Sequence, residues 1–148
     1  RLTNVTIFET ALGNKNGHVQ MIRPSVAKVK MQGLSHVVSD DKTPREEGSV
    51  FSVTIRRLDD LEEMQRLAAI SAIKIDVENF EHEVFRGAEQ LLRKHKPYIY
   101  CELWANEVRT ACIDMLQEIG YTVHVHDGQK FVPFTGQEES NFIFIPKT

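Results

Sequence analysis

Short apolar runs alternate with segments of helical periodicity through the middle of the chain. Residues 72–77 and 98–103 are almost continuously apolar, and between them apolar side chains recur every three to four positions. Continuous apolar runs are typical of strands buried inside a parallel sheet, and the 3.6-residue period is typical of an amphipathic helix. The pattern therefore predicts strand, helix and strand in this order, with both strands in the interior of a sheet.

Residues with capping propensity mark the ends of two predicted helices. Asn79 precedes a helix that ends before Pro97, and Asn106 precedes a helix that ends at Gly120. An asparagine side chain accepts hydrogen bonds from the amides of a first helical turn, and glycine adopts the left-handed conformation that follows a last turn. We therefore predict one helix between Asn79 and Pro97 and another between Asn106 and Gly120.

Strand patterns and one polar segment fill the N-terminal third. Residues 4–9 predict a strand that ends in a turn, and residues 18–21 and 26–31 predict a hairpin. Residues 50–55 predict a further strand, whereas residues 33–48 lack apolar periodicity and predict a mobile loop.

A short helix and two C-terminal strands complete the pattern. Asp59 or Asp60 is placed to cap the helix. Residues 121–126 and 141–145 predict strands with no helix between them, so they can pair antiparallel. The whole order predicts an α/β sandwich, with a mostly parallel sheet and an antiparallel C-terminal strand. The apolar residues on one face of the short helix are Leu61, Met64, Leu67 and Ala68.

Composition limits the class of protein and of partner. The 148 residues are 41% hydrophobic and 26% charged, which fits one soluble globular domain over residues 1–148. The formal charge of −3 gives no positive field for nucleic acid, and no apolar run approaches the roughly 20 residues that span a bilayer. We therefore expect no nucleic-acid partner, no membrane contact by this segment and a cytoplasmic location.

The cysteines and the acidic cluster do not predict a metal site. Cys101 lies in an apolar strand pattern and Cys112 on an apolar helix face, so both are predicted to be free buried thiols. Glu81 and Glu83 are two positions apart on a helix and point in different directions, which does not suit a shared metal ion.

Candidate binding residues follow from the ends of the predicted strands. In open α/β sheets, ligands bind beyond the carboxyl ends of the strands. Residues 9–12, 76–79 and 102–106 occupy these positions. The last two segments contain carboxylates, which are able to accept or orient a proton of a bound molecule.

The segment that begins in the first of the two apolar strands resembles a family signature. Residues 73–88, Ile-Lys-Ile-Asp-Val-Glu-Asn-Phe-Glu-His-Glu-Val-Phe-Arg-Gly-Ala, resemble the FkbM-type methyltransferases, in which a strand ending Lys-Ile-Asp-Val-Glu-Gly leads into a helix. Asn79 stands where that family usually has glycine, and asparagine is, after glycine, the residue that best tolerates positive φ. Further similar segments are residues 11–13, 58–60, 96–97, 100–103, 120–121 and 141–144.

The resemblance implies a Rossmann-like class I methyltransferase fold with S-adenosylmethionine as its cofactor. It also implies that the first strand of this chain corresponds to the third strand of the complete sheet. We therefore expect an N-terminally incomplete domain, with the glycine-rich cofactor loop of the family upstream of Arg1. We expect the segment alone to be inactive.

The resemblance further implies which residues bind. Thr10, Ala11 and Leu12 are expected to contact the cofactor, although turn residues of this size are common whatever is bound. Independently of the resemblance, Ser35 and His36 begin the polar segment and are expected to face the substrate, although a lone histidine more often lies on the surface or packs in the fold.

Three carboxylates are the expected catalytic residues. Asp76 would lie where the methyl donor and the acceptor meet and would contact both, with Glu78 beside it. Either side chain has helix capping and dipole compensation as its structural alternative. Glu102 lies in an apolar strand, where it acts on the substrate or bonds to a neighbouring loop.

Three functions remain open from the sequence. The leading hypothesis, taken from the resemblance, is O-methylation of a hydroxyl group on a small molecule, a sugar or a glycan. The alternative is a methyltransferase-like module that binds a partner without catalysis, because Asn79 replaces the usual glycine and the glycine-rich cofactor loop is not found in residues 1–148. The third is the nucleotide-binding half of another α/β enzyme.

Overall fold

Two β-sheets organise the part of the chain that the structure describes. The structure is a computed structural model, and it describes residues 2–26, 29–30, 35–38 and 48–147. The first sheet contains β1 (Ala11–Leu12), β2 (Gly17–Val26), β3 (Val29–Lys30), β4 (His36–Val37) and β5 (Gly48–Arg56). The second contains β6 (Ala72–Ile75), β7 (Tyr98–Glu102), β8 (Tyr121–His126), β9 (Phe131–Pro133) and β10 (Asn141–Pro146). The helices are α1 (Glu62–Gln65), α2 (Glu81–Arg86), α3 (Glu89–His95) and α4 (Glu107–Ile119).

Both sheets are mixed. The first has the order β1-β5-β2-β3, with β4 also on β2, and β1 is parallel to β5. The second has the order β6-β7-β10-β8-β9; β6 is parallel to β7, and β10 is antiparallel to both β7 and β8. The α/β class and the antiparallel C-terminal strand are therefore confirmed. The mostly parallel sheet is not, because among the described strands only the pairs β1–β5 and β6–β7 are parallel and the other pairs are antiparallel.

The main hydrophobic core lies between the second sheet and its helices. Phe85 of α2 meets Phe144 of β10 edge to face, with ring centroids 6.5 Å apart. Helix α4 packs against α2 and β8, and its Leu116 is buried in the same core. This packing anchors the junction between β6 and α2, which carries the candidate catalytic residues.

Strand β6 lies at the edge of the second sheet and not in its interior. Among the described strands, only β7 pairs with it. Ala72 and Lys74 are exposed while Ile75 is buried, and in β7 Tyr98 is exposed while Ile99 is buried. The predicted burial on both faces is wrong because only one face of each strand packs on the core, and alternate side chains point away from it.

A break at Gly87 divides the helix predicted between Asn79 and Pro97 into α2 and α3. A Cβ atom at Gly87 would overlap the carbonyl oxygen of Gly13. The Gly87 carbonyl accepts a hydrogen bond from the amide of Asp59 at 2.9 Å. The apolar periodicity continues across this break, so the sequence pattern predicted a single helix.

Helix ends agree with the prediction where the cap is local. The Asn106 side chain accepts hydrogen bonds from the amides of Val108, at 2.9 Å, and Arg109, at 3.3 Å. Gly120 follows α4 with a φ of 106°. Asn79 does not cap α2, because its own φ of 67° turns the backbone away from the geometry of a capping residue.

The helix predicted after Asp59 or Asp60 is reduced to a 3-10 turn at Leu58–Asp60 and the single turn of α1. No side chain caps α1. The carboxylate of Asp59 binds amides of α3 instead.

The N-terminal segment also differs from its prediction. Residues 4–9 form no strand, pairing begins at Ala11, and Ile7 is 82% exposed. A strand pattern needs a neighbouring strand to complete its hydrogen bonds, and residues 4–9 have none among the described residues. Strand β2 runs without a break past residues 18–21 and pairs mainly with β5. Among the described residues, the predicted hairpin corresponds to the short antiparallel pair of β2 with β3, and residues 27–28 and 31 of that prediction lie outside the described part of the chain. The strand predicted at residues 50–55 lies within β5.

The polar segment at residues 33–48 contains a short strand. His36 pairs with Ile22, and Val37 pairs with Met21. Residues 33–34 and 39–47 lie outside the described residues, so the mobile loop stays a prediction there.

The thiols of Cys101 and Cys112 are free and buried, as predicted. Within the described ranges, no helix combines the length and the apolar character that crossing a membrane requires.

Candidate functional site

A cleft of about 580 Å³ opens between the start of the first sheet and the end of β6. The β6 strand delivers Asp76 to its rim, and the loop that leads from β6 to α2 delivers Glu78. The opposite wall comes from β1 and β4. The residues that line the cleft are Thr10, Ala11, Leu12, Met21, Ser35, His36, Val37, Asp76, Val77, Glu78 and Phe80.

The cleft brings together most of the residues predicted from the sequence. Those expected to bind cofactor or substrate, together with two of the expected catalytic carboxylates, all line it. Glu102 does not line the cleft. It ends β7 in register with Asn141.

Asp76 is paired with Lys74, two residues earlier on the same strand. The Lys74 ammonium donates a hydrogen bond to Asp76 Oδ2 at 2.8 Å. This bond is the main reason why the pKa of Lys74 is raised above its ordinary value. The Asp76 side chain remains 48% exposed. A carboxylate so placed is oriented by the lysine and is still accessible from the cleft.

The loop between β6 and α2 has an unusual backbone. Glu78 and Asn79 are consecutive non-glycine residues with positive φ, of 52° and 67°. This conformation costs a non-glycine residue on the order of 1 kcal/mol, and it persists where surrounding contacts hold it. Asn79 therefore adopts the positive φ that its sequence position predicted.

Glu81, in the first turn of α2, is one such contact. It is only 3% exposed, and its Oε1 accepts a hydrogen bond from the amide of Asn79 at 3.0 Å. Burial raises the pKa of Glu81. Backbone hydrogen bonds with Glu81 itself, Asn79 and Val77 oppose that rise, and the charge of Glu78 adds to it. From the sequence, Glu81 was considered only as a metal ligand together with Glu83, and its burial was not predicted, although it directly follows Phe80 at the start of a helix that packs on the core.

Asn106 is a second contact of the same loop. Its Nδ2 donates a hydrogen bond to Asn79 Oδ1 at 2.7 Å, while its own Oδ1 caps α4. The first turns of α2 and α4 are thereby linked through Asn79. The position of Asn106 in the sequence predicted that it caps a helix, but it did not predict the hydrogen bond to Asn79.

The wall formed by β1 combines small and apolar side chains. The Thr10 hydroxyl is within hydrogen-bond distance of the main-chain oxygens of Thr54, at 3.0 Å, and Ala11, at 3.1 Å. Met21 and Phe80 add apolar surface that sequence analysis did not assign to a site. Apolar surface beside carboxylates suits a ligand with an apolar part and a cationic or hydroxyl-bearing part.

No group of three histidine, cysteine, aspartate or glutamate side chains within the described part of the chain lies close enough to hold a metal ion.

Comparisons with known proteins bear on the family of the chain. The family model described as the methyltransferase FkbM domain matches residues 1–130. A solved structure, the methyltransferase FkbM from Methylobacillus flagellatus KT, is similar with a TM-score of 0.41 and 20% sequence identity. The match covers 63% of this chain and 23% of that chain, so this chain spans less than a quarter of that protein. A search of curated proteins finds no match.

Proposed function

The chain belongs to the FkbM methyltransferase family, and on that premise we propose that it contributes to the site of an S-adenosylmethionine-dependent methyltransferase. The proposed reaction is O-methylation of a hydroxyl group on a small molecule or a sugar. The proposal includes a Rossmann-like class I arrangement, of which the parallel pair β6 and β7, connected by α2 and α3, is the described unit.

One observation carries the proposal. The cleft collects Asp76 and Glu78 on one side and residues 10–12 on the other, although these segments are more than 60 positions apart in the sequence. Carboxylates at a strand end, facing a concave surface of this size, are typical of a ligand site in an α/β protein.

The lining residues fit the proposed cofactor. Met21, Ala11 and Phe80 offer apolar surface for a purine ring. Asp76 and Glu78 carry charge opposite to that of a sulfonium group. When bound, S-adenosylmethionine supplies a methyl group that is already electrophilic. The protein therefore has mainly to orient the acceptor and to accept its proton.

In the proposed mechanism, the Asp76 carboxylate accepts a hydrogen bond from the acceptor hydroxyl. The bound cofactor would supply the methyl group to the acceptor oxygen, and the Asp76 carboxylate would take up the proton that the hydroxyl group loses. Lys74 holds the Asp76 carboxylate through Oδ2, and Glu78 contributes negative potential from the neighbouring loop. Glu102 has no part in this mechanism because it does not line the cleft.

Calorimetry and turnover in the full-length protein test this function. We expect S-adenosylmethionine to bind with micromolar affinity and its methyl group to be transferred to a hydroxyl acceptor. Asp76→Asn preserves the shape of the side chain and removes the proton acceptor. It should lower kcat by about a hundredfold, within the usual contribution of a general base, and should weaken the binding of S-adenosylmethionine by a smaller factor.

Two results would contradict the proposal. Absence of cofactor binding by the wild-type protein would remove the cofactor assignment. An unchanged kcat in Asp76→Asn would remove Asp76 from proton transfer. No described feature favours the alternative of a noncatalytic binding module.

A further inference from the structure

The strained loop at residues 77–79 has two supports that come from different helices. Glu78 and Asn79 both hold positive φ, so the loop does not keep this conformation from local preference alone. The direction in which Glu78 leaves the backbone depends on that conformation. Whatever holds Asn79 therefore sets where the Glu78 carboxylate lies at the cleft.

Glu81 supports the loop from the buried side. It belongs to the first turn of α2, and its carboxylate bonds to the Asn79 amide. The side chain packs in the core with only 3% of its surface exposed, so few other positions are open to it. A buried carboxylate that bonds to a main-chain amide fixes the peptide more firmly than a solvated one.

Asn106 supports the loop from the exposed side. Its side chain is shared between two tasks: Oδ1 binds the amides of Val108 and Arg109, and Nδ2 binds Asn79 Oδ1. The capping bonds fix the orientation of the Asn106 amide group, which leaves Nδ2 directed at Asn79. Glycine at position 79 would adopt the same φ without strain, yet it would make no bond to Asn106.

We propose that Glu81 and Asn106 are positioning residues that hold Asn79 from its two sides and thereby fix Glu78 at the cleft. The side chain of Asn79 is in this view a functional link between α2 and α4, and not only a residue that tolerates positive φ. The expected effect on catalysis rests on the proposed function. The hydrogen bonds that hold Asn79 do not depend on that function.

Four variants of the full-length protein separate the link from other effects. Asn79→Gly keeps the backbone conformation and removes the bond to Asn106. Asn79→Asp keeps an acceptor oxygen at the same place. Asn106→Ser keeps a capping oxygen for α4 and loses the amide donor. The fourth variant combines Asn79→Gly with Asn106→Ser.

Kinetics with S-adenosylmethionine and the acceptor give the first readout. Asn79→Gly and Asn106→Ser should each lower kcat by about tenfold, with KM for the cofactor within about twofold and little change in Tm. The hydrogen bond is exposed to solvent, so its loss should scarcely affect stability. The double variant should be no slower than the slower single variant, and Asn79→Asp should recover most of the wild-type kcat.

Hydrogen exchange of the backbone amide at position 79 gives a readout that requires no enzymatic activity. Asn106→Ser and Asn79→Gly should each accelerate this exchange by about fivefold or more, because the peptide that Glu81 holds then opens more often. Exchange in α4 should remain as in the wild type for Asn106→Ser.

The outcomes separate the two proposals. If the wild-type protein neither binds cofactor nor transfers a methyl group, the proposed function fails, and exchange at Asn79 still decides the link. If Asn79→Gly equals the wild type in both kcat and exchange, the link is overturned. Independent, multiplicative losses in the double variant would also overturn it, because two residues that act through one bond cannot lose it twice.

Discussion

Oδ1 of Asp59 accepts a hydrogen bond from the backbone amide of Leu91 at 2.9 Å, across 32 positions of the sequence. Oδ2 accepts a second from the amide of Gln90 at 3.1 Å, and Arg57 donates to the same oxygen at 3.5 Å. The Asp59 side chain is 1% exposed. Helix α3 begins after Ala88, which has no side-chain acceptor, so a carboxylate from a distant turn supplies its cap.

Asp59→Ala should lower the free energy of unfolding by about 2–3 kcal/mol, because two amides at the start of α3 lose their acceptor in a buried place. Urea unfolding of the full-length protein measures the change. Asp60→Ala is the matched control: Asp60 bonds to Asn16 at an exposed position, and its loss should cost less than about 1 kcal/mol. Equal losses in the two variants would show that Asp59 does not act as a cap.

Gly87→Ala should destabilise the protein by about 2 kcal/mol or more, because the added methyl group would overlap the carbonyl oxygen of Gly13. Gly87 has a helical φ of −78°, so without that overlap alanine would be preferred there. Gly128→Ala provides a comparison with backbone strain alone, since its φ is 96° and no atom lies within 4 Å of the added methyl group. A Gly87→Ala variant more stable than the wild type would contradict the close approach of the two backbones.

The stability of Glu81→Gln relative to that of the wild type should increase as the pH rises from about 4 to 7. Burial raises the pKa of Glu81 above 4.5 in the folded protein, so the folded state binds this proton more tightly than the unfolded state. The stability that this proton contributes is complete below the unfolded pKa and is lost as the pH rises through the folded pKa. Glutamine cannot titrate and keeps one acceptor oxygen.

Urea unfolding of both proteins across this pH range measures the difference in free energy of unfolding. Glu83→Gln, also in α2, controls for the removal of one negative charge from the same helix. A difference between Glu81→Gln and the wild type that stays constant with pH would contradict the raised pKa.

Cys101 and Cys112 should not react with a thiol reagent at about pH 8 until the protein unfolds. Both side chains are buried, and burial raises the pKa of Cys112 to about 12 and the pKa of Cys101 further in the same direction. Thiol release measured with and without urea checks this expectation, and the two counts should differ by two thiols per chain. Rapid reaction in the absence of urea would show that the core opens around these residues.

Local sequence determined the elements whose signals lie within a few residues of each other. Helix α4 begins after Asn106 and ends before Gly120, as predicted. Both ends could be predicted because a helix cap and a left-handed terminus are formed by residues next to the helix in the sequence. The apolar run after Pro97 and the pattern at Tyr121–His126 became strands for the same reason. The signature at residues 73–88 also indicated the family, which a match over residues 1–130 established.

Tertiary structure decided what depends on partners far apart in the chain. The edge position of β6, the break at Gly87 and the cap that Asp59 provides for α3 all depend on which backbone lies alongside. Glu81 illustrates the same limit: its charge is visible in the sequence, but its burial beneath the loop follows only from how α2 packs on the sheet. The residues 10–12 and 76–78 likewise meet only because the two sheets bring them to one cleft. A period of apolar residues specifies the face that a segment buries, whereas the neighbour against which it is buried is a property of the whole fold.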